Sequence, residues 1–162
     1  MSNVGCLTTN KMAKTIEIVN RRATHEYHFV SRHEAGIMLV GSELKSIRSG
    51  KAGLADAYCY FEGGELYIKS MYVKEYDNAS NYNHESRRTR KLLLHKSELK
   101  KLERRVKEKG LTLIPYRVYF SDRGFVKVEI ALAQGKKSFD KRETIKAKDT
   151  QRELDRMNKA RF

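Results

Sequence analysis

Alternation of apolar and polar residues near the carboxyl end of the chain constrains the fold more than any other sequence feature. Within FVKVEIALA, the residues at every second position are Val126, Val128, Ile130 and Leu132. This period places them on one face of a β-strand and is incompatible with a helix. The run LTLIPYRVYF precedes it, and residues 121–124 separate the two runs. We therefore expect an antiparallel hairpin with one buried face.

A pair of glycines indicates a second hairpin. Gly63 and Gly64 separate two short runs in LADAYCYFEGGELYIKSMYV. Both central positions of a tight two-residue turn favour positive φ, which glycine adopts without steric cost. Alternation then places Ala57, Cys59 and Phe61 on one face of the first strand, and the intervening tyrosines on the other.

The amino-terminal third of the chain contains two further extended segments. Ile16 and Ile18 alternate with polar residues in TIEIVN, and Asn20 ends this strand. The segment HEYHFVSRHEAGIMLVG is also extended in character, but Ser31 and Glu34 have the Ser-x-x-Glu spacing of a capping box. This spacing predicts a single helical turn at Ser31 that interrupts the second segment.

Two helices are expected from capping signals. In SELKSIRSGK, Ser42 is the expected N-cap and Gly50 the left-handed terminator of a short helix that plugs one end of the sheet. In KSELKKLERRVKEKG, Ser97 is the expected N-cap and Gly110 the terminator. The apolar positions of this second helix share one face and are Leu99, Leu102 and Val106.

Together these elements predict a mainly β fold of about six strands, mostly antiparallel, with two or three short helices. Because closure of a sheet removes its exposed edges, a small closed or nearly closed barrel is the expected arrangement. An open α+β sheet is the alternative. A chain of 162 residues fits one domain with appendages.

Composition divides the chain into three segments. Residues 1–14 are polar and aperiodic, which predicts a mobile arm, and residues 15–135 hold the barrel. Residues 136–162 carry ten Lys and Arg but few large apolar residues, so we expect this tail to be disordered when free. Good helix formers from Asp149 onward predict that it becomes helical on a polyanionic partner. A solubilising tail without a site is the alternative.

The charge balance indicates the class of partner. With 34 Lys and Arg against 20 Asp and Glu, the chain has a net charge of +14, which favours nucleic acid first and an anionic membrane surface second. No apolar run reaches the roughly 18–20 residues needed to span a bilayer, and the amino terminus lacks a signal-peptide core. We therefore expect a soluble cytoplasmic protein.

Basic residues are concentrated in three clusters that also contain or precede aromatic or histidine residues. They are Arg21 and Arg22; Arg87, Arg88, Arg90, Lys91 and Lys96; and Lys136, Lys137, Lys141 and Arg142. Cations neutralise phosphates and aromatic rings stack on unpaired bases, so the combination favours folded RNA with exposed loops over regular duplex DNA. A merely solvated surface is the alternative for any one cluster.

The sequence contains little that indicates an enzymatic site or a metal site. His25 and His28 would face opposite sides of a strand, and no partner has ligand spacing, so no metal is expected. Cys6 and Cys59 are expected to be reduced thiols, and no nucleophile motif, P-loop or dinucleotide fingerprint occurs. We expect no cofactor and no catalytic residue. A ribonuclease using a histidine with Glu34 or Glu26 would be the most plausible enzyme.

Several segments closely resemble the small protein B (SmpB) family, the tmRNA-binding proteins of bacterial trans-translation. They are NRRATHEYHF, EAGIMLVGSELKSIRSGKAGLADAY, RTRKLLLHKSEL and GKKSFDKRETIKAKD. The resemblance runs in order over about residues 16–162 and does not include residues 1–14. It implies an OB-like β-barrel that binds the elbow and D-loop region of the tRNA-like domain of tmRNA.

The resemblance also implies particular RNA-binding positions. They are Asn20, Glu34 and Leu93, with the basic Arg21, Arg22, Arg48 and Lys51 beside them. The basic clusters add His25, Arg90 and Lys91 to the residues that we expect to bind RNA. Other roles are open for three of them: Glu34 as the capping partner of Ser31, Leu93 as a core residue, and Asn20 as a strand terminator. A carboxylate near RNA is more credible as an acceptor for base or ribose donors than as a backbone contact.

For the tail, the resemblance implies entry into the ribosomal decoding centre and mRNA channel, where it folds as a helix. The matching positions are Gly135, Lys136, Lys137, Phe139, Asp140, Lys141 and Arg142. Gly135 is the expected hinge, and Phe139 is expected to stack on a ribosomal base.

The expected function is that of a monomeric, non-enzymatic adaptor that carries tmRNA to the A site of stalled ribosomes. Its expected partners are tmRNA and the ribosome, with no membrane. An RNA-processing enzyme or general RNA chaperone using the same basic surface is the alternative, and a structural ribosomal protein is a third option.

Overall fold

The described part of the chain contains nine strands and four helices. The computed structural model describes residues 16–77, 83–136 and 138–159, and within the last range it describes no side chains for residues 138–144, 148, 158 and 159. The arm predicted for residues 1–14 lies outside these residues.

The elements follow one another in the order β1 Glu17–Val19, α1 Arg21–Glu26, β2 Tyr27–Ile37, α2 Gly41–Arg48, β3 Ala52–Gly53, β4 Tyr58–Glu62, β5 Glu65–Lys69, β6 Tyr72–Val73, β7 Arg90–Leu93, α3 Lys96–Lys109, β8 Thr112–Phe120, β9 Val126–Gly135 and α4 Ser138–Lys159.

Six of the strands close into a barrel. The ring runs β8-β4-β5-β7-β2-β9 and returns to β8 through the β8–β9 pairing. All of these pairings are antiparallel. β1 extends the free edge of β8, and β3 pairs with β6 in a separate two-stranded sheet. The prediction of a mainly β barrel of about six strands is confirmed, and the open sheet is ruled out.

The two hairpins form as the sequence predicts. Gly63 and Gly64 have φ values of 59° and 77° and join β4 to β5. In the final hairpin, Leu113 of β8 faces Leu132 of β9, and Val118 faces Val128. The alternating apolar residues of β9 all point into the barrel and are buried.

The helical turn predicted at Ser31 is wrong. β2 is continuous from Tyr27 to Ile37, because β9 pairs with it from Tyr27 to Gly36 and supplies its hydrogen-bond partners. The register shifts between Phe29 and Ser31, so a bulge rather than a helical turn marks this point. The Oγ of Ser31 lies 3.1 Å from Nε2 of His33 instead of capping a helix.

The serine caps predicted for α2 and α3 are also wrong. α2 begins at Gly41, and the Val40 amide donates to Oε2 of Glu43 at 2.8 Å. α3 begins at Lys96, and the His95 amide donates to Oε2 of Glu98 at 3.2 Å. In each helix a glutamate in the first turn satisfies a free amide, so the helix starts before the serine.

The predicted helix terminators and core face are confirmed. Gly50 and Gly110 have φ values of 70° and 57°, the left-handed conformation expected after a helix. Leu102 of α3 is buried, and Leu99 and Val106 pack beside it on the main core. This core fills the barrel.

A smaller second core lies outside the barrel wall. Ala23 of α1 packs there against Ile114 of β8 and Ala133 of β9, with Tyr27 and Phe29 at its edge. Helix α1, which the sequence patterns did not predict, is held against the barrel by this contact.

The tail is helical from Ser138 to Lys159. A helix was expected there only on the ribosome, whereas the structure of the isolated chain already contains it. Disorder of the free tail in solution stays a prediction. Within the described residues, no helix combines the length and the apolar character that a bilayer crossing requires.

Candidate nucleic-acid interface

A surface pocket of about 480 Å³ opens where β2, β7, β9 and the start of α3 meet. Its lining brings together Glu34 of β2, Leu93 of β7 and Lys127 of β9. The strand register explains this arrangement, because Gly36 is paired with Leu93 on one side and with Lys127 on the other. We call this the interface pocket.

Glu34 is exposed in the pocket and its carboxylate is held in place. The hydroxyl of Tyr119 donates to it, and Nζ of Lys127 lies 3.1 Å from Oε1. The Tyr119 hydrogen bond first, and then Lys127, lower the pKa of Glu34 below its usual value. The group is thus an ionised acceptor facing solvent, and its proposed alternative role as a cap for Ser31 is ruled out.

Leu93 lies on the surface rather than in the core. Its side chain is 48% exposed, whereas the neighbouring Leu92 is 1% exposed and points into the barrel. Gly36 allows this placement, since a Cβ at position 36 would lie 3.3 Å from Cβ of Leu93. The core role considered for Leu93 is therefore wrong, and the pocket has an apolar wall.

Charged residues on the outer barrel wall extend the interface beyond the pocket. Arg117 of β8 donates to Glu129 of β9, and its Nη1 lies 2.9 Å from Oε1 of Glu17. Arg32 of β2 lies 3.6 Å from the other oxygen of Glu129. These cross-strand ion pairs form a network beside the pocket.

Sequence reasoning missed Lys127, Tyr119 and this network. The signal was present in the alternation of the last hairpin, since Lys127 and Glu129 occupy the positions between its buried residues. This pattern does not extend to Tyr119 and Arg117, which lie on β8.

Several of these cations also lie over aromatic rings. The guanidinium carbon of Arg32 is 4.7 Å from the ring centre of Tyr116, and that of Arg117 is 5.0 Å from the ring centre of Tyr119. Arg48, one of the predicted RNA-binding residues, lies 5.8 Å from the ring centre of Phe120. Such stacking holds long basic side chains in a defined position.

Asn20 is buried, and its side chain holds helix α1 on the barrel. It is 4% exposed, its Oδ1 accepts from the Ala23 amide at 3.1 Å, and its amide group donates to the carbonyls of Leu54 and Pro115. All of these contacts are internal and leave little of the residue exposed, and the predicted contact of Asn20 with RNA stays a prediction. Asn20 caps α1 and fixes it to the barrel, which places the helix's basic residues.

The basic residues of α1 lie beside a second pocket, of about 390 Å³. Arg21 and Arg22 are exposed and His25 is half-buried. Arg22 and Arg87 lie 3.6 Å and 3.7 Å from opposite oxygens of Asp56. Asp56 thus brings two of the three predicted basic clusters to one surface.

Arg90 does not belong to that surface. Its side chain is 0% exposed, and its guanidinium is bonded to Glu43 and to the carbonyl of Met71. Direct contact between Arg90 and RNA is therefore wrong for this structure. Burial of the guanidinium outweighs its contacts with Glu43 and lowers the pKa of Arg90.

Lys51 and Lys91 lie at the surface and carry carboxylate partners. Nζ of Lys51 is 2.6 Å from Asp77, which also binds Lys74. Hydrogen bonds from Lys51 and then Lys74 lower the pKa of Asp77 to about 2. Lys91 pairs with Glu65, and this hydrogen bond raises the lysine's pKa. Because an ammonium group has three N–H donors, each lysine can also offer a hydrogen to a phosphate beside its carboxylate partner.

The start of the tail is attached to the barrel. Gly135 is paired with Tyr27, and Lys136 donates from its amide to Glu26 at 2.9 Å and from Nζ to Thr24 at 3.2 Å. The body is therefore hydrogen-bonded through Lys136, one residue past the predicted boundary. Lys137 lies outside the described residues, as do the side chains of Phe139, Asp140, Lys141 and Arg142.

The arrangement suits RNA recognition. The interface pocket combines an ionised acceptor, an apolar wall and a lysine, and Arg32 and Arg117 lie in the ion-pair network beside it. Within residues 16–77, 83–136 and 138–159, no three His, Cys, Asp or Glu side chains are grouped so that they could hold a metal ion.

Comparison with known proteins gives consistent matches. The family model described as SmpB protein matches residues 17–160. A relative from Cytophaga hutchinsonii, described as SsrA-binding protein, is 50% identical over 151 residues, covering 93% of this chain and 99% of the relative. A relative from Desulforamulus reducens with the same description is 51% identical over 154 residues, covering 95% of each.

A solved structure agrees with these matches. It is described as "tmRNA-SmpB: a journey to the center of the bacterial ribosome", and it superposes with a TM-score of 0.64 at 47% identity, covering 76% of this chain and 86% of that chain. The barrel, the interface pocket and the sequence matches lead to one conclusion: the chain belongs to the SmpB family.

Proposed function

We propose that this chain is an RNA-binding adaptor that binds the tRNA-like domain of tmRNA and delivers it to the A site of stalled ribosomes. The observation that carries the proposal is the meeting of Glu34, Leu93 and Lys127 in one exposed pocket. The relatives described as SsrA-binding proteins and the structure described as tmRNA-SmpB on the bacterial ribosome support it.

The pocket chemistry fits an RNA loop such as the elbow of a tRNA-like fold. Leu93 offers an apolar surface for a base or ribose, and Glu34 offers an acceptor for a base N–H or a 2′-hydroxyl. A phosphate would be repelled by the carboxylate but attracted by Lys127. The pocket thus favours an unpaired nucleotide whose base faces Glu34 and whose backbone passes the lysine.

The basic residues of α1 provide the second part of the RNA surface. Arg21, Arg22 and Arg87 lie on one side of the barrel, and the first two are carried by a helix that Asn20 fixes in place. Their role is to neutralise phosphates and orient the RNA, without reading its sequence. Arg48, the last residue of α2, and Lys51, which follows that helix, add further positive charge.

The tail is the proposed ribosomal element. Its helix of 22 residues would extend about 33 Å, and the described apolar side chains Ile145, Leu154 and Met157 are all exposed. Exposed apolar side chains at these three described positions suit a separate partner. We place it in the decoding centre and the mRNA channel, with Phe139 stacking on a ribosomal base.

In this role the protein positions RNA and performs no chemistry, because peptide-bond formation belongs to the ribosome. The role places it in the cytoplasm, as a monomer with tmRNA and the ribosome as partners.

The experiment that tests the proposed function is purification of the tagged chain from cells and sequencing of the bound RNA. We expect tmRNA to be enriched far above transfer RNA, and equal recovery of both would contradict the proposal.

A second assay separates the adaptor from an RNA-processing enzyme. Labelled tRNA-like RNA is incubated with the protein with and without Mg²⁺. The adaptor retards the RNA and leaves it intact in both conditions, whereas an enzyme would cleave it.

A further inference from the structure

The outer side of α3 carries positive charge that the interface described above does not use. The helix packs on the barrel through Leu99, Leu102 and Val106, so its opposite side faces solvent. That side includes a group of four exposed cations, which we call the α3 basic band. The band consists of Lys100, Lys101, Arg104 and Arg105.

Most of this charge is not neutralised by neighbouring carboxylates. Two ion pairs form within the helix, Arg104 with Glu108 at 2.6 Å and Lys107 with Glu103 at 2.7 Å. In the part of the chain that the structure describes, no carboxylate pairs with Lys100, Lys101 or Arg105. Three of the four cations in the band therefore have no carboxylate partner among the described residues.

The band is continuous with the interface pocket. Leu94, His95 and Glu98 line that pocket, and α3 begins at Lys96 between them. From there a helix of 14 residues extends about 21 Å along the surface. An RNA seated in the pocket can therefore run directly onto α3.

We propose that the α3 basic band binds the phosphate backbone of the same RNA whose loop occupies the interface pocket. This inference rests on the proposed function and adds a second contact surface to it. Lys101 and Arg105 are four residues apart and lie in one row about 6 Å long, so they can neutralise successive phosphates. α3 contains no aromatic residue, and backbone contact without base stacking is what such a surface provides.

The test compares two variants that each lose two positive charges. Lys101→Gln/Arg105→Gln removes two of the three unpaired cations of the band, and glutamine preserves helix propensity. Lys69→Gln/Arg123→Gln is the matched control, because both residues are exposed, lie in β5 and the β8–β9 turn, and do not line the pocket. Binding of the transcribed tRNA-like domain of tmRNA is measured from 50 to 300 mM salt.

We expect the band variant to bind this RNA at least fivefold more weakly than the control variant at 100 mM salt. Its log–log salt slope should be shallower by about 1 to 2, because about one counterion fewer is released for each lost phosphate contact. Equal affinities and slopes for the two variants would overturn the inference while leaving wild-type binding and the proposed function intact.

Two further outcomes separate the possible failures. Binding of both variants to vacant ribosomes is compared in the same way. If the band variant binds ribosomes more weakly but binds the tRNA-like RNA normally, the band contacts ribosomal RNA and the inference is wrong. If the wild-type chain itself fails to prefer the tRNA-like RNA over an unrelated hairpin, the proposed function fails and the inference with it.

Discussion

Arg90 donates a hydrogen bond to Glu43 inside the barrel, where neither side chain has exposed surface. Nε of Arg90 lies 2.8 Å from Oε1 of Glu43, and Nη1 donates to the carbonyls of Met71 and Arg88. Arg88 binds the second carboxylate oxygen from nearer the surface, at 2.7 Å. One glutamate therefore ties α2 to β7 and to the segment that leads into it.

The first prediction concerns the stability of this buried pair. Glu43→Gln leaves the Arg90 guanidinium buried without a counter-charge, so we expect the free energy of unfolding to fall by about 3–5 kcal/mol. Urea denaturation followed by circular dichroism measures the change. Glu75→Gln, at an exposed carboxylate, is the control. The double variant Glu43→Met/Arg90→Met should lose less free energy of unfolding than Glu43→Gln does. A larger loss in the double variant would contradict the prediction.

The Glu43–Arg90 pair also predicts how the stability of the protein depends on pH. Burial alone would raise the pKa of Glu43, but hydrogen bonds from Arg88 and the Val40 amide and the charge of Arg90 outweigh burial and lower it. A lowered folded-state pKa adds stability above the unfolded value of about 4.3, and that stability is lost as pH falls through the folded value. The free energy of unfolding of the wild type should therefore fall more steeply with decreasing pH below about pH 5. In Glu43→Gln this fall should be weaker.

The second prediction compares two adjacent leucines. Leu93→Ala should weaken binding of the tRNA-like RNA by about 1 kcal/mol, or about fivefold, with little change in stability, because Leu93 lies on the pocket wall. Leu92→Ala should instead reduce the free energy of unfolding by about 2–5 kcal/mol, since Leu92 is in the core. Unfolding and RNA titration of both variants test this. A Leu93→Ala variant that is destabilised but binds RNA normally would refute the assignment.

The sequence predicted the barrel because its strongest signals are local. The alternation in β9 and the Gly63–Gly64 turn each determine one hairpin without reference to the rest of the chain. The error at Ser31 has the opposite origin, because a local capping pattern was overridden by pairing with β9, more than 90 residues away. A single sequence does not encode that pairing in any local pattern.

The candidate site was predictable only in part, for a similar reason. Asn20, Arg90 and Leu93 were all predicted to bind RNA, yet the fold buries the first two and exposes the third. Whether a polar residue faces the core depends on the barrel register, which the basic clusters do not reveal. Lys127 and Tyr119 reach Glu34 only because β9 pairs with β2 on one side and with β8 on the other.

The third prediction tests the carboxylate in the pocket. Glu34→Gln removes the ionised acceptor, and we expect RNA affinity to fall by about 1.5–3 kcal/mol, roughly ten- to hundredfold. Because the pKa of Glu34 is lowered, this group stays ionised and should add no pH dependence to binding between about pH 5 and 8. Fluorescence anisotropy with labelled tRNA-like RNA measures both effects.

Two companion variants make that result specific. Tyr119→Phe removes one donor that holds Glu34 and should weaken binding by about 1 kcal/mol, less than the loss of the carboxylate itself. Glu62→Gln is the matched control, since Glu62 also accepts from a tyrosine hydroxyl but lies on β4. Equal effects of Glu34→Gln and Glu62→Gln would show that the pocket is not the binding site.

The fourth prediction concerns the tail as a separate element. A chain that ends at Lys136 keeps the hydrogen bonds to Glu26 and Thr24, so its barrel should remain intact. We expect its affinity for the tRNA-like RNA to stay within about twofold of the full chain. Tagging of nascent peptides on stalled ribosomes should be abolished in a reconstituted translation assay. A truncated chain that supports tagging would contradict the role proposed for α4.

The same pair of proteins tests whether α4 is helical before it meets a partner. Most helical stability in proteins comes from the packing of an apolar face, and the described apolar residues Ile145, Leu154 and Met157 are exposed. The far-ultraviolet circular dichroism spectra of the full and truncated chains are subtracted at 37 °C. We expect the difference to resemble the spectrum of a disordered segment. A difference equal to 22 helical residues would show instead that the helix is formed in the free protein.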